Sequence, residues 1–200
     1  MRRRSFGLAV LAVFLAAPLA QGAEADPAQA AAFVKQAGLD LATVVSGAKS
    51  QADKEARLAV YMERVVDQDG VARFCLGRYW QVATPQQRAD YLRLFRKVLL
   101  HGVVNRLGDY QAGSVQVIVS KPVEKPDGTY VPTTVDRPGN KPVDITWMVT
   151  AAADGLRIAD VVAEGISLRQ TQRSDYASFL SRNGGDVAVL IAALKKQVGE

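Results

Sequence analysis

The chain is poor in the residues that most chemistry needs. It holds one cysteine and one histidine in 200 residues. A lone cysteine excludes an internal disulfide, so stability must come from packing. Cys75, inside Phe74-Cys75-Leu76, reads as a small buried hydrophobe, since no histidine stands beside it to make a nucleophile. The histidine, His101, lies beside Leu99, Leu100 and Val103 and reads as a partly buried structural residue, not a base. There is no metal-ligand spacing, no CxxC, no Ser-x-x-Lys and no glycine-rich phosphate loop. Lysines and arginines are mixed with acids along the chain, so no basic face is drawn that would hold nucleic acid. No cofactor or metal is expected, and no enzyme. An enzyme would have to work through His101 or through Asp160, which is unusual within Ile158-Ala159-Asp160-Val161-Val162. The plainer expectation for Asp160 is a solvent-facing or hydrogen-bonded strand residue.

What is present begins with a leader. Arg2, Arg3 and Arg4 precede an apolar stretch from Phe6 to Ala17, too short to span a bilayer as a helix. Small residues follow, and Ala23-Glu24-Ala25 fits a cleavage motif. Residues 1–25 are therefore expected to be a secretory signal peptide. Removing them takes away three arginines and one glutamate, so the formal charge of +5 falls by two. Residues 26–200 are expected to form one domain.

The domain opens with helical signals. Asp26-Pro27 supplies a cap and a first-turn proline. Phe33 and Val34 follow, with a weakening expected at Gly38, and then Leu39, Leu41, Val44 and Val45. Leu58, Tyr61, Met62, Val65 and Val66 recur at helical spacing until Asp67-Gln68-Asp69-Gly70 breaks the pattern. A short apolar helix is expected over Val71–Trp80. Thr84-Pro85-Gln86-Gln87 is a capping box that starts a long helix toward Tyr110. Its apolar stripe is wider than a surface helix needs, which suits either a fuller core or the wall of an apolar cavity.

After Gly113 the period changes to two. Val115, Val117 and Val119 alternate with polar residues, and Pro126-Asp127-Gly128 is a turn. Tyr130–Val135 reads as a strand, with Pro132 consigning it to an edge or a bulge. Arg137–Pro142 reads as a polar loop. Val143, Ile145, Trp147 and Val149 form a strand that turns at Asp154-Gly155 and returns through Leu156–Glu164. A helix is expected from Ser174, a break at Asn183-Gly184-Gly185, and a last helix capped by Asp186. Segregated helices and strands mean α+β, with helices on one face of a curved antiparallel sheet of about four strands enclosing an apolar cavity.

Two stretches carry a family resemblance. Val71-Ala72-Arg73-Phe74-Cys75-Leu76-Gly77-Arg78-Tyr79-Trp80, with Ala83-Thr84-Pro85-Gln86-Gln87-Arg88, resembles the LGRYW…ATPEQR segment of the MlaC family, also called toluene-tolerance proteins. Ile158–Leu168 is similar to its DV-x-x-EGVSL strand. Gln172-Arg173-Ser174-Asp175-Tyr176 resembles its next helix start, and Asn183-Gly184-Gly185 stands at its glycine pair. The tail also resembles a hopanoid-associated branch. Leu156 and Ala159 replace aromatics of the family pattern, which bears on cargo size.

The resemblance implies a periplasmic lipid carrier. Such a protein holds phospholipid acyl chains between helices and sheet. It passes lipid between an inner-membrane ABC transporter complex with an MCE-type substrate-binding subunit and an outer-membrane lipoprotein–porin complex, a pathway of outer-membrane lipid asymmetry. The alternative cargo is a hopanoid or another rigid apolar ligand. Apolar periodicity on the matched segments nominates Phe74, Tyr79, Leu92, Phe95, Leu99, Val103, Val117, Val119, Ile145, Trp147, Val149, Val161, Ile166, Leu168, Tyr176, Phe179 and Leu190 as lipid-binding. Arg78 and Arg173 are expected to be ion-pair partners, not phosphate ligands.

Overall fold

The computed structural model describes residues 25–107, 116–136 and 141–200. The expected leader, Tyr110, Val115 and the Arg137–Asn140 part of the polar loop lie outside these, apart from Ala25. Ala25 is buried, and its carbonyl accepts the Thr129 hydroxyl at 2.6 Å.

Seven helices are described: α1 (Pro27–Ser46), α2 (Gln51–Val65), α3 (Gln68–Leu76), α4 (Tyr79–Val82), α5 (Pro85–Arg106), α6 (Leu168–Arg182) and α7 (Val187–Gln197). Most are started by a side chain that satisfies an otherwise orphaned N–H. Asp26 accepts from the Gln29 N–H, and Thr84 and Gln87 form the full capping box. Helix α1 runs unbroken through Gly38. Its Ala30, Val34, Ala37 and Val45 are buried on one face, and the Tyr61 hydroxyl donates to the Ala37 carbonyl at 2.7 Å. Packing on that face outweighs the roughly 1 kcal/mol helix cost of one glycine.

Two helix expectations are corrected. The apolar stretch Val71–Trp80 is not one helix, because Gly77 adopts φ +57° and divides α3 from α4. The helix expected at Ser174 begins at Leu168. Ser167 is its cap and accepts from the Gln170 N–H. The apolar Ile166 and Leu168 imitate a continuing strand and hide that cap.

Among the described residues six strands form one antiparallel sheet: β1 (Gln116–Val119), β2 (Val123–Lys125), β3 (Gly128–Asp136), β4 (Val143–Ala152), β5 (Gly155–Ala163) and β6 (Ile166–Ser167). Their order is β1-β3-β4-β5-β6, and β2 also pairs with β3. The count exceeds the expected four through the short β2 and β6. Pro132 is not on an edge strand, for β3 lies between β1 and β4. It sits where β1 pairing gives way to β2 pairing, and its carbonyl accepts from the Ser120 N–H there. The N–H that proline lacks would face the same gap, because both backbone groups of a strand residue point to one side.

The register places Val117, Val119, Thr129, Val131, Thr133, Val135, Val143, Ile145, Trp147, Val149, Ile158, Val161 and Ala163 on one face, with a bulge at Ala159. Helices α1 and α2 cover that face. Helices α3 to α7 form a separate bundle around Leu76, Tyr91, Leu94, Phe95, Tyr176, Leu180 and Leu194. The bundle is joined to the sheet at Asp160. This buried carboxylate accepts from the Val161 N–H, the Ser167 hydroxyl and the Arg169 N–H, and faces the Arg169 guanidinium at 3.4 Å.

Candidate functional site

The covered sheet face divides in two. Toward Thr129, Val131, Val149 and Ile158 it is closed: all four side chains are buried, under Ala30, Val34 and Ala37 of α1 and Met62 and Val65 of α2. Toward the opposite end it is not closed. Val135, Val143, Ile145 and Ala163 are half-buried and join none of the buried clusters, and Val117 is exposed. Phe33, Leu41 and Val44 of α1 and Leu99, Leu100 and Val103 of α5, all half-buried, pack with Trp147 and Val161 of the sheet against the buried cluster of Ala37, Tyr61, Met62, Val65 and Ile158. We take the boundary between that cluster and the half-buried end of the sheet as the candidate apolar cleft.

The polar atoms along these walls are satisfied by one another. The Trp147 indole N–H donates to Thr133 Oγ1 at 3.0 Å, and the Thr133 hydroxyl donates to the Ile145 carbonyl at 2.9 Å. The Tyr61 hydroxyl is held by Ala37, and burial pushes its pKa well above the ordinary tyrosine value. Among the described residues, the side chains named along these walls otherwise offer a ligand hydrocarbon. Among the described residues, the buried side-chain polar atoms without a hydrogen bond are Arg169 Nε and Tyr176 Oη, both away from the cleft walls.

The residues nominated from the sequence separate into three sets. Leu99, Val103, Val119, Trp147, Val149 and Val161 lie between helices and sheet, with Val117 and Ile145 on the same sheet face. Phe74, Tyr79, Leu92, Phe95, Tyr176, Phe179 and Leu190 instead pack the α3–α7 bundle, with Leu99 touching both. Ile166 and Leu168 are exposed at the turn into α6. The cleft also takes Phe33, Leu41, Val44, Leu100, Val135 and Val143, which the nomination omits. Their apolar periodicity is visible in the sequence, but which face of α1 meets the sheet is not.

Two open hollows, of about 530 and 550 Å³, lie on the bundle. One runs between α6 and α7 past Tyr176, Phe179 and Leu190, and the other past Arg78, Tyr79 and Val82. Asp175, Ser178, Arg182 and Gln197 line the first, so it cannot shield hydrocarbon from water. We place the candidate site in the cleft.

The remaining chemical candidates do not assemble. His101 is exposed on α5, which corrects the expectation of partial burial. Cys75 is buried, its thiol donates to the Arg169 carbonyl at 3.6 Å, and burial pushes its pKa up to about 12. Arg78 and Arg173 make no ion pair among the described residues, contrary to expectation. Arg78 donates to the Tyr79 hydroxyl, and Arg173 donates to the Phe74 carbonyl. Among the described residues no cluster of histidine, cysteine or carboxylates is fit to hold a metal ion. No described helix is long and apolar enough to cross a membrane.

Comparison with known proteins bears on this geometry. The family model described as MlaC protein matches residues 39–196. The fold is similar to a solved phospholipid-binding protein from Ralstonia solanacearum, determined in complex with a phospholipid. The TM-score is 0.74 at 22% identity, covering 88% of this chain and 100% of that one.

Proposed function

The chain belongs to the MlaC family, and from that premise we propose that it is a periplasmic carrier that holds phospholipid acyl chains in the helix–sheet cleft. The observation that carries this reading is the unclosed half of the sheet face. Val135, Val143, Ile145 and Ala163 are apolar, half-buried and outside every buried cluster of the described residues. A folded protein buries such surface unless something else covers it. The phospholipid complex of the structurally similar Ralstonia protein supports a lipid as the cover.

The physics of the task matches the site. An acyl chain of ~15 methylenes gains about 12 kcal/mol on leaving water, at ~0.8 kcal/mol each. Free lipid therefore crosses an aqueous gap only slowly, and a carrier needs an apolar slot of matching depth but no reactive group. The cleft offers that slot, and with its polar atoms already paired it asks no hydrogen bond of the cargo. The headgroup stays toward solvent. The reading is one of binding, without catalysis, and of exchange with an inner-membrane ABC transporter complex and an outer-membrane lipoprotein–porin complex.

The test is transfer. Donor vesicles carrying a fluorescent phospholipid and a quencher are mixed with unlabelled acceptor vesicles. Catalytic amounts of the protein should raise the transfer rate in proportion to protein concentration. A rate equal to that of vesicles alone, from protein shown to be folded, would refute the reading.

A further inference from the structure

A strip of arginines on the helical bundle has no part in the cleft. Arg73 and Arg88 both stack on Trp80, their guanidinium carbons 5.2 and 5.3 Å from the ring centroid. Arg78 lies 5.0 Å over Tyr79, and Arg173 lies 4.8 Å over Phe74. Arg169 meets the same Phe74 ring at 4.5 Å and is the member with acidic partners, Asp127 and Asp160. The other four have no carboxylate partner among the described residues. Neighbouring acids are engaged elsewhere: Asp69 pairs with Arg96, and Asp90 accepts from the Gln86 amide. Ring contacts and carbonyl hydrogen bonds hold these arginines in place, but their charges remain without counter-charges among the described residues.

Their mounting is rigid. Arg88 donates to the Trp80 and Gln81 carbonyls, and Arg173 to the Phe74 carbonyl. The Arg173 guanidinium lies 3.3 Å from where a Cβ on Gly77 would sit, so a larger residue there would crowd it. Arg73 and Arg78 hold no carbonyl, and both are exposed. A guanidinium held flat on an aromatic ring keeps its outer N–H groups aimed outward as a fork, the geometry that binds carboxylates in pairs.

We propose that this strip docks an acidic face of a partner protein. Two observations favour a protein over a membrane surface. The rings are occupied by guanidiniums, so they do not stand free to enter a bilayer. Residues 68–88 and 168–182 carry arginine but no lysine, and the arginine fork is the group preferred for ion pairs at protein interfaces. Arginine is enriched among the hot spots of protein interfaces.

The test places a photo-crosslinking amino acid at Gln81, which is exposed beside Val82, in the full chain expressed in its own cell. The proposal expects an adduct with a protein whose contacted peptide is rich in Asp and Glu. Arg73→Glu with Arg78→Glu should cut the adduct by about tenfold or more. Reversing the contacted acids to lysine should restore it. Bound lipid per protein should not change, which separates this surface from the cleft. If the double variant fails to fold, Arg78→Ala serves, since Arg78 touches only Tyr79. An adduct indifferent to both variants overturns the proposal, as does no protein adduct at all. Charge-dependent flotation with phosphatidylcholine–phosphatidylglycerol vesicles, without a protein adduct, overturns it in favour of a membrane.

Discussion

Replacing Ile145 by glutamate separates cleft from core by pH. Ile145 is half-buried, faces the unclosed half of the sheet and belongs to no buried cluster. Its backbone carbonyl, not its side chain, holds Thr133. In the empty protein the new carboxylate keeps contact with water, so folding is little affected. With an acyl chain seated, the carboxylate loses that water and takes up a proton instead of remaining charged in hydrocarbon. From an ordinary pKa of about 4.3, protonation at pH 7 costs about 3.7 kcal/mol, or ~500-fold in affinity. At pH 5 the same step costs about 1 kcal/mol, or ~5-fold. Lipid uptake from vesicles by Ile145→Glu should therefore be nearly lost at pH 7 and largely recovered at pH 5. Ile145→Gln should show a smaller loss at both pH values. Circular dichroism melts at each pH report folding. An equal loss at both pH values, or full uptake at pH 7, would refute the placement of cargo against Ile145.

Other expectations follow from the core and the termini. Asp160→Asn leaves the half-buried Arg169 guanidinium with Asp127 as its carboxylate partner and weakens the bonds from Val161, Ser167 and Arg169, and should lower stability by about 1–3 kcal/mol in a denaturant titration, with lipid bound per folded molecule unchanged. Glu200 accepts hydrogen bonds from Arg93 and Lys97, which lower its carboxyl from the ordinary 4.5 to about 2. A depressed folded pKa contributes stability above the unfolded value. The advantage of wild type over Glu200→Gln should thus be complete at pH 7 and shrink as pH falls from about 4.5 toward 2. The Cys75 thiol, buried and raised to about 12, should resist a thiol reagent at pH 8 in the native protein and react at once in denaturant.

The parts of the fold legible in the sequence are those set by local chemistry. Asp26-Pro27, the Thr84–Gln87 box and the Asp154-Gly155 turn each act within four residues, and each stands where it was expected. The start of α6 escaped because Ser167 lies between apolar neighbours, although Ser-x-x-Gln is itself a capping pattern. The strands β2 and β6 are too short to show a period. The cleft was half legible, and the reason is physical. Alternation along β4 and β5 identifies the apolar face that carries Ile145, Trp147 and Val161. Nothing in a helical stripe distinguishes side chains that meet other side chains from those that meet a gap. Phe95 and Leu99 stand one turn apart on α5, yet the first is sealed in the bundle and the second also reaches the sheet side. Only the register of β4 against β3 and β5, and the course of α1 above it, make that separation.

Native mass spectrometry of the protein purified from the periplasm without detergent tests the central claim most directly. The account predicts a species heavier than the polypeptide by the mass of a diacyl phospholipid, lost on exposure to organic solvent. A single rigid polycyclic mass would keep the cleft and change the cargo. A folded protein with no bound lipid, and none acquired on incubation with vesicles, would contradict the account.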